Sequence, residues 1–255
     1  MTIQPLTPDV PHRAYWMPDL EWGRALWHAH TPYCYARWCE EYDDVMGIGG
    51  YVNHGDSALL DLLYIHPDET GRGYGTALLQ DLLAHADSEG IATMVAYVRP
   101  ALVPWLQRHG FAPHGEILRC TGGRFLQATL DEVEPMEAQH LLGVLHLDRR
   151  ATGEDRRTWL MEHNYLGSVY NERGRIRGFV LPLLRDALIV ADVPEVGLEL
   201  QRWVFPVQEH LLIPATNSAA LQHLHERGYT STVDTVRLVR GVVPDYKGEL
   251  VYGFA

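Results

Sequence analysis

The sequence is short of cysteine, of basic charge and of long apolar runs, and each shortage excludes something. Only three cysteines occur in 255 residues, Cys34, Cys39 and Cys120, with no CxxC pair. An odd count without that spacing supports neither a disulfide framework nor a cysteine-based zinc site. Lys and Arg number 21 against 33 Asp and Glu, a formal net charge of −12. Surfaces that attract nucleic acid or anionic membrane carry the opposite sign, so neither is expected as a partner. No apolar stretch approaches the ~20 residues that cross a bilayer. The opening MTIQPLTPDVPHR has no apolar leader core, so the expected location is the cytoplasm. Fourteen histidines occur without an HExxH, and His223 and His225, two apart on an expected helix, point to different sides. No metal is expected.

What remains is an ordinary globular composition, 46% hydrophobic and 21% charged, in a chain long enough for one large or two ordinary domains. The first half reads as α/β. A strand is expected at Thr2–Leu6, a helix at Asp19–His30, and two antiparallel strands at Tyr33–Glu40 and Val45–Asn53 around the turn Glu41-Tyr42-Asp43-Asp44. A third strand, Ala58–Ile65, leads to a glycine-rich loop. Beyond it, Ala77, Leu78, Leu82, Leu83 and Ala86 recur at helical spacing, and Gly90 ends the helix Thr76–Glu89. A strand at Ala92–Val98, a helix at Ala101–His109 and a β segment at Phe111–Thr121 complete the half.

The second half repeats the plan. A strand at Arg124–Leu130 precedes helices at Pro135–Leu147 and Gly153–His163. Strands follow at Leu166–Asn171, Arg175–Leu183 and Ala187–Asp192, then a helix Pro194–Val204, a strand His210–Ala215, a helix Ser218–Arg227 and a β segment Tyr229–Val239. Leu106-Gln-Arg-His-Gly110-Phe111 matches Leu224-His-Glu-Arg-Gly228-Tyr229, 118 positions later. Helices often end in glycine, but the shared order of elements makes duplication the better reading. The expected domains are 1–121 and 122–255, divided near Thr121-Gly122-Gly123, with mixed α/β sheets in each.

The strongest signal is Gly71-Arg72-Gly73-Tyr74-Gly75-Thr76, between an apolar strand and an amphipathic helix. Alternate glycines let successive N–H groups converge with no Cβ to hold a phosphate away, and a helix start adds unpaired donors and the positive dipole end. A pyrophosphate is the natural occupant; a plain glycine turn is the ordinary alternative. A dinucleotide fold would need a parallel βαβ unit and an acid roughly twenty residues past the loop, at a strand end. Antiparallel strands precede this loop, and the next strand runs on to Arg99-Pro100, which rejects that reading.

This segment resembles the acetyl-CoA-binding motif of the GNAT superfamily of N-acyltransferases, most sharply over Leu59–Leu79. The resemblance implies two tandem GNAT-like domains and acetyl-CoA as acyl donor. It places the pyrophosphate on the amides of Gly71, Arg72, Gly73, Gly75 and Thr76, around Tyr74, and the pantetheine arm along the strand edge at Leu63 and Ile65, as an added strand. Thr70 stands where the family has Gln or Arg.

Acyl transfer to an amine needs a base for the ammonium and donors for the oxyanion. Asp61 is the one charge in Ala58–Ile65. Alternation puts it on the side of Leu59, Leu63 and Ile65, and it matches a Glu used by several GNAT enzymes; a strand-end acid facing solvent is the plainer reading. Glu40, Glu41, His54, His66 and Glu116 are weaker candidates. The family's Asn and Tyr beyond the fifth strand fall here on Arg99 and Leu106, so the usual acid for the leaving thiolate is absent, and Arg99 becomes a candidate contact for a CoA phosphate. The aromatics between Tyr15 and Trp38 either line an acceptor pocket or pack a core.

In the second half the Asn pattern survives as Asn217-Ser-Ala-Ala220, but the glycine loop does not. Ile65 to Arg99 spans 34 positions and Val190 to Asn217 spans 27, with Pro194-Glu195 opening the helix. This half resembles a degenerate GNAT repeat without cofactor. The implied activity is acetyl transfer to a primary amine of a small molecule or peptide, by direct attack; the rival is a non-catalytic acyl-CoA-binding module. A homodimer is compatible with either.

Overall fold

In the computed structural model, which describes residues 1–124, 127–128, 132–184, 186–204 and 209–254, the chain forms two compact units. The first comprises Met1–Tyr97 with Arg240–Val242, the second Val98–Val239 with Val243–Ala255.

The first unit is built on a five-strand run whose order in the sheet follows the chain. β1 (Thr2–Pro5) precedes the short helix α1 (Val10–Arg13) and α2 (Asp19–His30). Pro18 and the acids Asp19 and Glu21 open α2, the acids at the dipole end that favours negative charge, and His28 and His30 lie in its last turn. β2 (Cys34–Glu41) and β3 (Asp44–Asn53) form a hairpin, turning through Tyr42 and Asp43 at φ 54 and 64, the paired left-handed geometry of a tight hairpin turn. β4 (Ser57–Ile65) adds antiparallel to β3. α3 (Tyr74–Ser88) then crosses back, burying Leu78, Leu79, Leu82, Leu83 and Ala86, and β5 (Thr93–Val98) pairs parallel to β4. α1 and α2 pack a core with Trp38, Ile48 and Leu62. On the other face, Leu63 and Ile65 pack with Tyr74 and Leu78.

The second unit begins with α4 (Val103–Gln107) and β6 (Ala112–Thr121). The helix expected over 101–109 is thus shorter, with Pro100 opening a 3-10 turn ahead of it. β7 (Val133–Pro135) follows; the strand expected at Arg124–Leu130 falls largely outside the described residues. α5 (Leu141–Thr152) ends at Gly153, φ 75, displaced towards the C-terminus from expectation, and α6 (Arg157–Glu162) lies within the helix expected at Gly153–His163 but is shorter. β8 (Ser168–Glu172), β9 (Arg175–Leu181), β10 (Leu188–Ala191), α7 (Pro194–Val204), β11 (His210–Pro214), α8 (Ser218–His225) and β12 (Thr230–Gly241) lie where the sequence places them, within a few residues at their ends. A last strand, β13 (Val251–Gly253), was not expected. One sheet runs β13-β10-β9-β8-β7, and β6 pairs with both β11 and β12.

The expected boundary at 121/122 separates the repeats by order of elements, whereas the compact units part after Tyr97. The reason is strand pairing. β6 is built into the second unit beside β11 and β12. Arg240–Val242 joins the first, where the Val242 amide donates to the Ala92 carbonyl at 3.0 Å and Arg240 clasps Asp87 through two bonds of 2.8 and 2.9 Å.

Candidate active site

β4 pairs with β5 from Ser57↔Thr93 to Leu60↔Ala96, and the ladder stops there although β4 continues to Ile65. The two strands therefore make a fork whose β4 edge lies beside Leu63 and Ile65. His66 and a 3-10 turn at Pro67–Glu69 lead into the glycine loop. Gly71 and Gly73 take φ of 87 and 99, a region open to glycine at little cost, and a Cβ built on either would meet no atom within 4 Å. That open space leaves the loop backbone approachable by an anionic group. Gly73 caps α3, whose first rung is Ala77 N–H to Gly73 carbonyl at 3.0 Å, so the amides of Tyr74 and Gly75 precede the ladder and face the loop's end.

Not every expected loop donor is available. The Arg72 amide donates to the Glu69 carbonyl at 3.3 Å, and the Thr70 amide to the Pro67 carbonyl at 3.4 Å, because the preceding turn uses them. The Arg72 side chain pairs with Glu69 at 3.0 Å. Tyr74 points away from the loop: its ring is buried and its hydroxyl donates to Glu41. That bond holds the Glu41 carboxyl low and pushes the Tyr74 phenol up to about 12. Glu41, a weaker candidate base, is committed to this contact.

Asp61 lies where β4 carries an extra residue. Register passes from Gly50↔Leu62 to Tyr51↔Leu60, leaving Asp61 in a β-bulge. The bulge breaks alternation, so the expectation that Asp61 shares a face with Leu63 and Ile65 is corrected. Those two pack towards α3, whereas Asp61 turns to α2. There its carboxylate, 5% exposed, meets His28 Nε2 at 3.0 Å and Arg24 Nε at 3.9 Å. Arg24 also donates to the Asp61 carbonyl at 3.2 Å. A Cβ at Gly50 would sit 2.9 Å from His28 Nδ1, so the glycine makes room for the imidazole. His28 and Arg24 escape a sequence reading because only the fold carries α2 across the bulge.

Residues 2–111 match the family model described as Acetyltransferase (GNAT) family.

These residues form a GNAT acetyltransferase domain.

The fold of the whole chain is that of tandem GNAT proteins. It superposes on an acetyltransferase-assigned protein from Pyrococcus horikoshii with TM-score 0.82 at 18% identity, covering 99% of this chain and 93% of that one. A tandem GNAT protein from the clavulanic acid biosynthesis pathway gives 0.58 at 14%, covering 96% and 99%. A GCN5-related N-acetyltransferase from Sphaerobacter thermophilus gives 0.61 at 16%, covering 96% and 97%. No curated protein matches the sequence. Family and fold together support acyl transfer as the chemistry of the GNAT domain.

Other candidates scatter. His54 is buried, His66 Nδ1 accepts the Asp68 amide at 3.2 Å, and Glu40 lies in β2 opposite Val45. Arg99, exposed, and Leu106, 1% exposed, belong to the second unit, as does Glu116 on β6. Trp22 and Trp38 pack the α2 core of the GNAT domain, which settles those aromatics as core rather than lining, while Tyr15 is 90% exposed. Among the described residues no cluster of three or more His, Cys, Asp or Glu could hold a metal, and no helix is long and apolar enough to cross a membrane.

Proposed function

We propose that the chain is an acetyl-CoA-dependent N-acetyltransferase, acting on a primary amine of a small molecule or peptide by direct attack. The observation that carries this reading is the glycine loop opening α3 beside a β4 edge that β5 leaves unpaired beyond Leu60. The loop amides of Gly71, Gly73, Gly75 and Thr76 would hold the pyrophosphate, and the edge at Leu63 and Ile65 the pantetheine arm. Thr70, Arg72 and Tyr74 shape the loop through their own bonds. The donor supplies a thioester carbonyl. Asp61 takes the proton released by the attacking ammonium, directly or through water, and His28 and Arg24 hold its carboxylate. The amide forms as the C–S bond breaks, and water protonates the departing thiolate. The first repeat holds the donor; the second holds none. The net charge of −12 is compatible with a cationic acceptor.

A second reading, an acyl-CoA-binding module without turnover, draws on the buried Leu106 at the place where the family has its Tyr acid. Calorimetric titration of acetyl-CoA, followed by release of free CoA across a panel of amines, separates the two. One equivalent bound with amine-dependent release supports the transferase. Binding without release supports the module, and no binding sinks both.

A further inference from the structure

In the order of elements β10 and β11 of the second repeat stand where β4 and β5 stand in the first. Among the described residues β10 and β11 share no ladder: β10 pairs with β9 and β13, and β11 with β6. Their fork is filled. β13 runs antiparallel to β10, with Ile189 opposite Gly253 and Val190 opposite Val251. On its other side the Phe254 amide donates to the Leu212 carbonyl of β11 at 2.8 Å.

Side chains on both following helices grip this segment by its backbone. Gln201 of α7 donates through Nε2 to the Tyr252 carbonyl at 2.7 Å, and Asn217 at the start of α8 donates through Nδ2 to the Val251 carbonyl at 2.8 Å. Both side chains are essentially fully buried, at 0% and 1% exposure, so these bonds satisfy polar groups that water does not reach. The Tyr252 ring lies on Gly197 of α7, where any Cβ would overlap it. Val251, Tyr252 and Phe254 are all buried. Where the first repeat has its glycine loop, the second has Asp192, whose carboxylate accepts from Arg177 Nε at 2.8 Å and Arg175 Nη2 at 3.2 Å.

We propose that the second repeat is a strand-binding groove whose resident ligand is residues 251–254 of the same chain, an extended peptide held by main-chain pairing on β10 and β11 and by Gln201 and Asn217. Strand addition supplies the affinity, and the space over Gly197 selects an aromatic ring at its second position. An internal carboxylate, Asp192, stands where the other repeat would receive phosphate. The groove is therefore closed to an acyl-CoA. The peptide-binding property stands whether or not the first fork takes acetyl-CoA.

Hydrogen–deuterium exchange read by mass spectrometry tests it without any acyl donor. In a chain lacking residues 251–255, amides of β10 and β11 are expected to lose protection while those of α3 keep theirs. A synthetic peptide spanning Gly248–Phe254 is expected to restore protection saturably, and the same peptide with Tyr252→Ala is not. Unchanged protection in β10 and β11 after the deletion overturns the proposal, as does failure of the wild-type peptide to restore what the deletion removed. Should the shortened chain not fold, full-length Gln201→Ala replaces it, with loss of protection expected in β10, β11 and 251–254. Equal loss in α3, or no loss anywhere, overturns the proposal.

Discussion

The two repeats share an order of elements and differ in what fills their forks. In the first, β4 and β5 part after Leu60↔Ala96, and a glycine loop opens the next helix. In the second, the corresponding edge is taken by β13, and the helix opens on Asp192-Val193-Pro194. The contrast teaches that two repeats sharing one order of elements can differ in whether a strand edge is left open or satisfied from within the chain. Unpaired buried backbone is costly, so a fork that binds no ligand needs an internal substitute.

Several measurements break or sharpen this contrast. The largest effect is expected at Asp61, the proposed base. Asp61→Asn should slow amine-dependent CoA release about 1,000-fold, roughly 4 kcal/mol, while calorimetric acetyl-CoA affinity stays nearly unchanged. Normal turnover by this variant would remove Asp61 from the mechanism. Next comes the second repeat's plug. Tyr252→Ala should cost about 3 kcal/mol in chemical denaturation by emptying the space over Gly197, with acetyl-CoA stoichiometry still at one. A second equivalent bound by that variant would mean that the plug, not the lost loop, is what bars the cofactor.

A smaller effect is expected at the loop. Gly73→Asp with Gly75→Asp should weaken acetyl-CoA by roughly 100-fold or more, about 2.7 kcal/mol, through like-charge repulsion and a filled concavity. Unaltered affinity in this pair would move the donor away from the first fork. The smallest is a pH effect confined to the second unit. Burial pushes the His223 imidazole down to about 4, with Arg227 and Arg202 adding to the shift. The folded value lies below the unfolded value of 6.5, so both forms are neutral above that pH and no cost arises. As pH falls from 6.5 towards 4, the unfolded chain takes a proton that the folded one refuses. Stability should drop by about 1.4 kcal/mol per pH unit in that window. Denaturation followed through the buried Trp159 at pH 7.5 and 5.5 reads it, and His223→Gln should flatten the difference.

Much of this was legible from residues alone. α2 runs over the expected Asp19–His30, and α7 over the expected Pro194–Val204. Both are amphipathic stretches with their own start signals, so local periodicity suffices. The glycine loop was legible for the same reason, since positive φ at Gly71 and Gly73 is a backbone demand written in residue type. Asp61 was found as a lone charge in an apolar strand, but its direction was not. Period-two alternation assumes an unbroken ladder, and the bulge opposite Gly50 and Tyr51 adds a residue that no local pattern announces. β13 was missed because Val251-Tyr-Gly is too short to read as a strand without its neighbours.

By itself, then, the sequence determined the order of elements, the duplication and the place of the glycine loop, because helix periodicity, turn chemistry and glycine conformation are local properties. Only the tertiary structure decided which edges pair. It bent Asp61 towards Arg24 and His28, exchanged β6 and Arg240–Val242 between the compact units, and seated Val251–Gly253 in the second fork. Pairing and packing depend on residues far apart in the chain, where each buried N–H and carbonyl must find a partner, and no window of neighbouring residues contains that information.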